Sequence, residues 1–188
     1  MFHEGILQPC SSRRSNFTTW INDTRGVSRG VSLSYSEAAS VCFGRHHASP
    51  VDLDIERPAL HHVSAQWIPP DDGVKRAWAN ETDTTEAGAY CVALAAVETT
   101  DGLVAIARAE TRTGADYYLG PHGQSLADLE KSHRLEVSGV DEGGPSSVKS
   151  RLRQKIDQAA AGRSSLPAIA AVVGFATRQI AIADVTPK

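Results

Sequence analysis

Hydrophobic and polar residues follow a clear pattern mainly in the second part of the chain. Residues 84–98 are rich in alanine, and their apolar positions fall at helical spacing, which predicts a helix. Three strands are predicted after it: a buried strand at 103–109, a second that contains 117–119, and a third at 134–140, where apolar and polar residues alternate strictly.

A second helix and two more strands complete this pattern. The helix is predicted to be capped by Ser146 or Ser147 and to run to about Ala161, with one apolar stripe along its length. Residues 168–175 and 179–185 are predicted as the final strands. The order α-β-β-β-α-β-β predicts an α/β fold with a mixed sheet flanked by helices.

The first 70 residues give weaker signals. Residues 1–30 lack a period and predict an irregular segment. Residues 31–35 alternate and predict a short strand, and 36–43 predict one or two helical turns with Ser36 as the N-cap. A further strand is predicted at 61–68, where two prolines stop it.

Length and composition fit one folded domain with an extension. The chain has 188 residues, of which 41% are hydrophobic and 22% charged, and such values argue against general disorder. We expect the main domain at 71–188. Residues 1–70 are expected to be an accessory region that packs on this domain or supplies substrate or partner contacts.

The cysteine content and the lengths of the apolar stretches indicate in which cellular compartment the protein is expected. The three cysteines, Cys10, Cys42 and Cys91, are too few and too scattered for a disulfide framework, and no CxxC pair is present to hold zinc. The first residues lack the layout of a signal peptide, and the longest apolar stretch, 166–176, is far shorter than the roughly 20 residues of a membrane helix. We expect a soluble, cytoplasmic protein with no membrane partner.

Charge is distributed unevenly along the chain. The net charge of −3 argues at first against a polybasic nucleic-acid binder. Residues 145–188, however, contain seven basic and two acidic residues, a net charge of +5, so that residues 1–144 carry −8. This asymmetry points to a partner at the basic end of the chain.

Two carboxylates occupy unusual positions in the predicted strands. Alternation places Glu136 on one strand face with Arg134 and Ser138, between two apolar neighbours. It either faces solvent or must be paired or bound to a metal. Asp116 stands where a glycine turn enters a strand, although Asp is depleted in strands, so it serves either the turn or a ligand.

The second predicted helix carries basic residues on both flanks of its apolar stripe. Helical geometry places Arg151, Lys155 and Gln158 on one flank, and Lys149 and Arg153 on the other. A basic helix face that simply contacts solvent explains this pattern, and so does a face with a functional role.

Together, the carboxylates and the helical lysine indicate a metal-dependent hydrolytic site. Two carboxylates on neighbouring strands can bind a divalent cation, and Mg²⁺ prefers oxygen ligands. Phosphodiester hydrolysis needs a metal to activate water and to offset charge, and a lysine can orient that water.

Four segments resemble the PD-(D/E)xK, or restriction-endonuclease-like, nuclease superfamily, particularly its small bacterial members. They are TEAGA at 85–89, TGADYYLG at 113–120, LEVSG at 135–139 and R-x-x-x-K-x-x-Q at 151–158. The superfamily core has the order α-β-β-β-α-β, which is the order predicted for 84–185. The resemblance covers somewhat more than half of the chain.

The resemblance implies a Mg²⁺ or Mn²⁺ site. Glu86 would be the helix acid, contacting the metal directly or through water. Asp116 and Glu136 would be the main ligands, and the backbone carbonyl of Val137 would complete the set.

The chain departs from the superfamily motif at one position. Ser138 stands where the motif has lysine, and a serine cannot supply the positive charge. In some members the lysine comes from the following helix, which makes Lys155 the substitute here, with Gln158 beside it.

The resemblance also implies a function. It is the metal-dependent hydrolysis of nucleic acid, with DNA favoured over RNA, in defence against foreign DNA or in DNA processing. Lys149, Arg151 and Arg153 would contact phosphates, and a homodimer would allow both strands to be cut.

The alternative is a catalytically inactive nuclease fold that acts as a binding or partner module in a defence or toxin–antidote assembly. Ser138 and the acidic 1–144 region favour this interpretation, because an acidic body repels DNA.

Two other patterns are weaker. The adjacent histidines at 46–47 and 61–62 chelate a metal poorly, so packing or surface roles are expected. The glycines at 143–144 before a helix lack the lysine of a P-loop, which argues against nucleotide hydrolysis. They would still allow contact with a nucleic-acid backbone.

Overall fold

The computed structural model describes residues 14–16, 27–110, 113–162 and 164–186. The helices are α1 (Arg29–His46), α2 (Asp72–Ala77), α3 (Glu81–Asp101) and α4 (Pro145–Ala160), with a 3-10 helix at Leu126–Lys131. The strands are β1 (Arg14–Asn16), β2 (Val51–Arg57), β3 (Ala59–Gln66), β4 (Leu103–Arg108), β5 (Tyr117–Pro121), β6 (His133–Val140), β7 (Ala168–Gly174) and β8 (Gln179–Val185).

The strands form one mixed sheet in the order β1-β3-β2-β8-β7-β6-β5-β4. Strands β4, β5 and β6 are antiparallel neighbours, and α4 then crosses over to β7, which lies parallel to β6. Strand β8 turns back antiparallel to β7 and pairs on its other side with β2. The structure therefore confirms the α/β class and the predicted order of elements from α3 to β8.

Helices cover both faces of the sheet centre. Helices α1 and α3 pack together over one face, and α4 packs on β6, β7 and β8 from the other. All seven residues of β7 are buried as a result. In β6, Leu135 and Val137 join the main apolar cluster, whereas Arg134 and Glu136 are buried on the other face. The predicted alternation is confirmed.

The start of α4 differs from the prediction. The helix begins at Pro145 with Gly144 as its N-cap, so neither Ser146 nor Ser147 caps it. A proline suits the first helical position because its missing N–H would have no helical partner there. The predicted apolar stripe is confirmed, since Val148, Leu152, Ile156 and Ala159 all pack against the sheet.

Helix α1 replaces two predicted elements. The strand at 31–35 is wrong, because Arg29–His46 is one helix of 18 residues. The helical turns at 36–43 are confirmed as part of this longer helix, but its N-cap is Ser28 and not Ser36. Its buried residues include Ala39, Cys42 and Phe43, which belong to the core cluster that also contains the buried face of α3. Packing of small side chains between two helices outweighs the weak alternation of the sequence.

Strand β2 was missed, although the sequence carries its signal. Its residues alternate strictly between buried and exposed, with Leu53 and Ile55 in the core. The predicted strand at 61–68 corresponds to β3, which starts and ends two residues earlier. Residues 14–16 form β1 parallel to β3, and the rest of the predicted irregular segment before residue 27 lies outside the described residues.

The region up to residue 70 shares a core with the following region. Phe43 packs on Trp67 and on Phe175, at ring-centre distances of 5.3 and 4.9 Å. Strands β2 and β3 extend the sheet beyond β8. The predicted boundary between the accessory region and the main domain, at residue 70, lies between β3 and α2. It stays a prediction.

Two cysteines are described, and both are free thiols. Cys42 is fully buried, and Cys91 is partly buried against the main cluster. Burial raises the pKa of each thiol to about 12, which makes both poor nucleophiles at neutral pH. None of the helices among the described residues has both the length and the apolar character of a membrane-spanning segment.

The contact between β6 and α3 depends on a glycine. A Cβ atom at Gly139 would lie 2.6 Å from both the backbone oxygen and the Cγ2 of Thr85. We expect Gly139→Ala to lower the free energy of unfolding by about 1–3 kcal/mol, since backbone must move to make room. Urea unfolding measures this change.

Gly30→Ala is the matched control. A Cβ atom there meets nothing within 4 Å, and alanine favours the helix. This variant is expected to be at least as stable as the natural protein. A Gly139→Ala variant of unchanged stability would contradict the close approach of the two elements.

Candidate functional site

Asp116 closes the end of the β5–β6 ladder. The pairing covers only Tyr117 to Leu119 on β5, and the backbone of Asp116 makes one more bond, from its N–H to the Leu135 carbonyl at 2.7 Å. Its carboxylate Oδ2 then accepts the N–H of Val137 at 2.8 Å. An aspartate belongs at this position because its side chain satisfies a strand N–H that β5 no longer reaches.

The carbonyl of Val137 lies on the same side as its N–H. In a strand, the N–H and C=O of one residue point in the same direction, and here that direction is away from β7 and past the end of β5. The backbone oxygen of Val137 therefore faces the region beside the Asp116 carboxylate.

Glu136 is a buried acid paired with a helical lysine. Its residue is 3% exposed, and its Oε1 accepts a hydrogen bond from Lys155 Nζ at 2.7 Å. Lys155 also donates to Gln158 Oε1 at 3.3 Å, one turn along α4. The solvent-facing interpretation of Glu136 is thus wrong, and the paired one is confirmed.

Several effects act on the Glu136 carboxyl. Burial raises its pKa, the hydrogen bond from Lys155 lowers it, and the nearby negative charge of Asp116 raises it again. The net result is a raised pKa. The free energy cost of burying the charge is therefore only partly offset by Lys155.

Glu86 joins the site through a tyrosine. It lies on the exposed side of α3, and Tyr90, one turn later, is buried. The Tyr90 hydroxyl lies 2.7 Å from Glu86 Oε1 and 2.9 Å from Asp116 Oδ1, so it bridges the two carboxylates and donates its single proton to one of them at a time. Burial, with the neighbouring acids adding to it, raises the pKa of Tyr90, which stays a neutral donor.

Sequence reasoning missed Tyr90 and the arginine beside it. Tyr90 follows Glu86 by one helical turn, a spacing that indicates a shared face. Arg108, at the end of β4, donates to the Tyr90 hydroxyl from Nη2 at 3.3 Å. Nothing in the sequence near Arg108 signals this contact, which depends on how α3 and β4 pack.

Arg134 is a second buried cation on the Glu136 side of β6. It is fully buried, and its guanidinium donates to the carbonyls of Ala159 and Leu166 at 3.1 and 3.3 Å. Its positive charge lowers the pKa of Glu136, although less than Lys155 does. Arg134 thus ties the end of α4 to the strand that carries the acid.

The three predicted phosphate-contacting residues are exposed on α4. Arg151 precedes Lys155 by one turn and lies on the same flank of the helix. Lys149 and Arg153 lie on the opposite flank. The structure therefore forms two hydrogen-bonded groups, Glu86 with Asp116 through Tyr90, and Glu136 with Lys155 and Gln158. The charge of Asp116 acts on Glu136 and relates the two groups.

A cluster of three His, Cys, Asp or Glu side chains that could hold a metal is not found among the described residues. The four histidines noted in the sequence each bond elsewhere, for example His46 to Asp141 at 3.1 Å and His62 to Asp54 at 2.7 Å. The donor set near β6 comprises two carboxylates and one backbone carbonyl. Mg²⁺ suits such a set, because it usually keeps several waters and needs few protein ligands.

Comparison with known proteins returns no match for this chain, whether to protein-family models, to curated proteins or to solved structures.

The raised pKa of Glu136 predicts how stability changes with pH. A carboxyl with a raised pKa in the folded protein contributes stability below its ordinary pKa, and this contribution is lost as the pH rises through the folded value. We therefore expect Glu136→Gln to unfold at higher urea than the natural protein at neutral pH, in the presence of EDTA. The difference should vanish near pH 4, at about the ordinary pKa of a glutamate.

Glu130→Gln, which changes an exposed glutamate, is the control and should show no such difference. If Glu136→Gln is instead the less stable protein at neutral pH, the attraction of Lys155 outweighs the cost of burial.

Proposed function

We propose that the protein is a Mg²⁺-dependent nuclease that hydrolyses phosphodiester bonds of nucleic acid, with DNA favoured. The observation that carries this proposal is the pairing of buried Glu136 with Lys155 of the following helix, beside the carboxylate of Asp116. Acids that can bind a metal, with a lysine beside them to orient a water molecule, can support phosphodiester hydrolysis.

The order of the elements supports the proposal. Helix α3, the antiparallel strands β4, β5 and β6, the crossover helix α4 and the parallel strand β7 follow one another as in a restriction-endonuclease-like core. Glu86 lies on the opening helix, Asp116 at the second strand, and Glu136 on the third. These are the positions at which that superfamily places its acids.

The metal would be held by oxygen atoms at the end of the β5–β6 ladder. Asp116, Glu136 and the carbonyl of Val137 would be direct ligands, and Glu86 would act through water from the far side of Tyr90. When bound there, Mg²⁺ would lower the pKa of a coordinated water molecule and would offset negative charge on the phosphate.

Lys155 would act on the attacking water. An ammonium group has three N–H donors, of which two go to Glu136 and Gln158. The third can hold a water molecule, and the positive charge stabilises that water as it loses its proton. Lys155 would thus replace the motif lysine whose position Ser138 occupies.

Substrate contacts would begin on α4. Arg151 lies on the flank of Lys155 and would contact the phosphate backbone nearest to the site, with Lys149 and Arg153 farther away. A setting in defence or DNA processing, and a homodimer that cuts both strands, rest on the resemblance alone.

A second candidate function is a catalytically inactive module of the same fold that binds a protein or nucleic acid. It is favoured by the way the acids are already engaged, because Tyr90 bridges Glu86 and Asp116, and Lys155 pairs with Glu136. Ser138 in the motif position also favours it.

Cleavage assays separate the two candidates. Linear and circular DNA, and RNA, are incubated with the protein in Mg²⁺, Mn²⁺ or EDTA. We expect cutting in the metals only, and a loss of about 100-fold or more in rate for Asp116→Asn and for Lys155→Met. Asparagine is chosen because its oxygen can still accept the Val137 N–H.

The control variant is Lys75→Met, which removes an exposed charge on α2 and should cut at the natural rate. No cutting of any substrate by folded protein in either metal would overturn the nuclease proposal in favour of the inactive module. Equal cutting by all variants would identify a contaminating nuclease.

A further inference from the structure

Arg108 lies in a cradle of three tyrosines from three different elements. Its Nη1 donates to the hydroxyls of Tyr35 on α1 and Tyr117 on β5, at 2.6 and 3.1 Å, and its Nη2 donates to Tyr90. The Tyr35 and Tyr117 hydroxyls also bond each other at 2.7 Å. We name Tyr35, Tyr90 and Tyr117 the tyrosine cradle.

The guanidinium is fixed from two sides by the cradle. It lies over the ring of Tyr90 at 4.6 Å and near the ring of Tyr117 at 5.1 Å. These two rings also pack edge to face against each other, with a centre distance of 5.7 Å. A cation held in this way loses little conformational freedom when it binds a ligand.

The charge of Arg108 is not neutralised by the described residues. All three of its hydrogen-bond partners are neutral hydroxyls, and within the described part of the chain it forms no ion pair with a carboxylate. A guanidinium has five N–H donors, and these three bonds leave two for a ligand. The residue is exposed, so a ligand can reach it.

The cradle also borders the acids. Tyr90, which accepts from Arg108, is the tyrosine that bridges Glu86 and Asp116. An anion held by Arg108 would therefore lie next to the proposed metal ligands. A planar guanidinium matches the geometry of phosphate oxygens better than a lysine does.

We propose that Arg108, held by the tyrosine cradle, binds a backbone phosphate of the nucleic-acid substrate beside the acid cluster. This inference rests on the proposed function and adds a substrate-binding residue on β4, across the site from α4. Arg151 and Arg108 would then contact the nucleic-acid strand from opposite sides of the acids.

Binding measurements without cleavage test the inference. A short fluorescein-labelled DNA duplex is titrated with the protein in Ca²⁺, and its anisotropy is followed at several salt concentrations. We expect Arg108→Met to weaken binding about tenfold or more, as the loss of a charged hydrogen bond predicts. In a plot of the logarithm of the binding constant against the logarithm of the salt concentration, the magnitude of the slope should decrease by about 1. This decrease corresponds to the loss of one phosphate contact.

Matched variants separate binding from folding. Arg108→Lys keeps the charge without the planar fork and should restore the salt slope but only part of the affinity. Arg76→Met removes an exposed arginine on α2 and should bind like the natural protein. A urea titration of each variant shows whether it is folded, and a merely structural role would leave the salt slope unchanged.

The outcomes distinguish this inference from the nuclease proposal. If Arg108→Met binds DNA with the natural affinity and salt slope, or if the natural protein does not bind, the inference is overturned. If the natural protein binds DNA without cutting it, and Arg108→Met loses that binding, the inference holds while the nuclease proposal fails.

Discussion

The ion pair between Lys155 and Glu136 joins the two elements on which the site depends, β6 and α4. A carboxylate with so little exposure requires a cation nearby, since burying an unpaired charge costs several kcal/mol. Lys155 reaches it because the apolar stripe of α4, from Val148 to Ala159, fixes that helix on the sheet. The ion pair therefore depends on the packing of α4 against the sheet. In turn, it helps to fix how α4 is oriented relative to β6.

Lys155 alone does not balance the acids around it. The pKa of Glu136 stays raised because burial and the charge of Asp116 outweigh the lysine, while Glu86 and Asp116 share one tyrosine hydroxyl. A raised pKa means that the charged form of Glu136 is unfavourable for folding. Proteins tolerate unfavourable arrangements of this kind chiefly where function requires them, and a divalent cation would relieve this one.

The sequence predicted the parts of this arrangement that local periodicity controls. Strict alternation in β6 placed Glu136 and Leu135 on opposite faces of the strand, and the helical spacing of α4 placed Lys155 and Gln158 together on one flank. The first part of helix α1 was mispredicted as a strand, because the packing of this helix against α3 is a tertiary effect. The contacts of Arg108 with Tyr35, Tyr90 and Tyr117 join residues up to 73 positions apart, so only the assembled fold reveals them.

Binding of Mn²⁺ tests most directly whether the acids form a metal site. The electron paramagnetic resonance signal of free Mn²⁺ falls when the ion binds to a protein. We expect the natural protein to lower this signal at neutral pH, and Asp116→Asn to lower it far less, because Asp116 would be a direct ligand. If the free Mn²⁺ signal is undiminished at every concentration of the folded natural protein, the buried Glu136 and its neighbours do not bind a metal, which contradicts the proposed metal site.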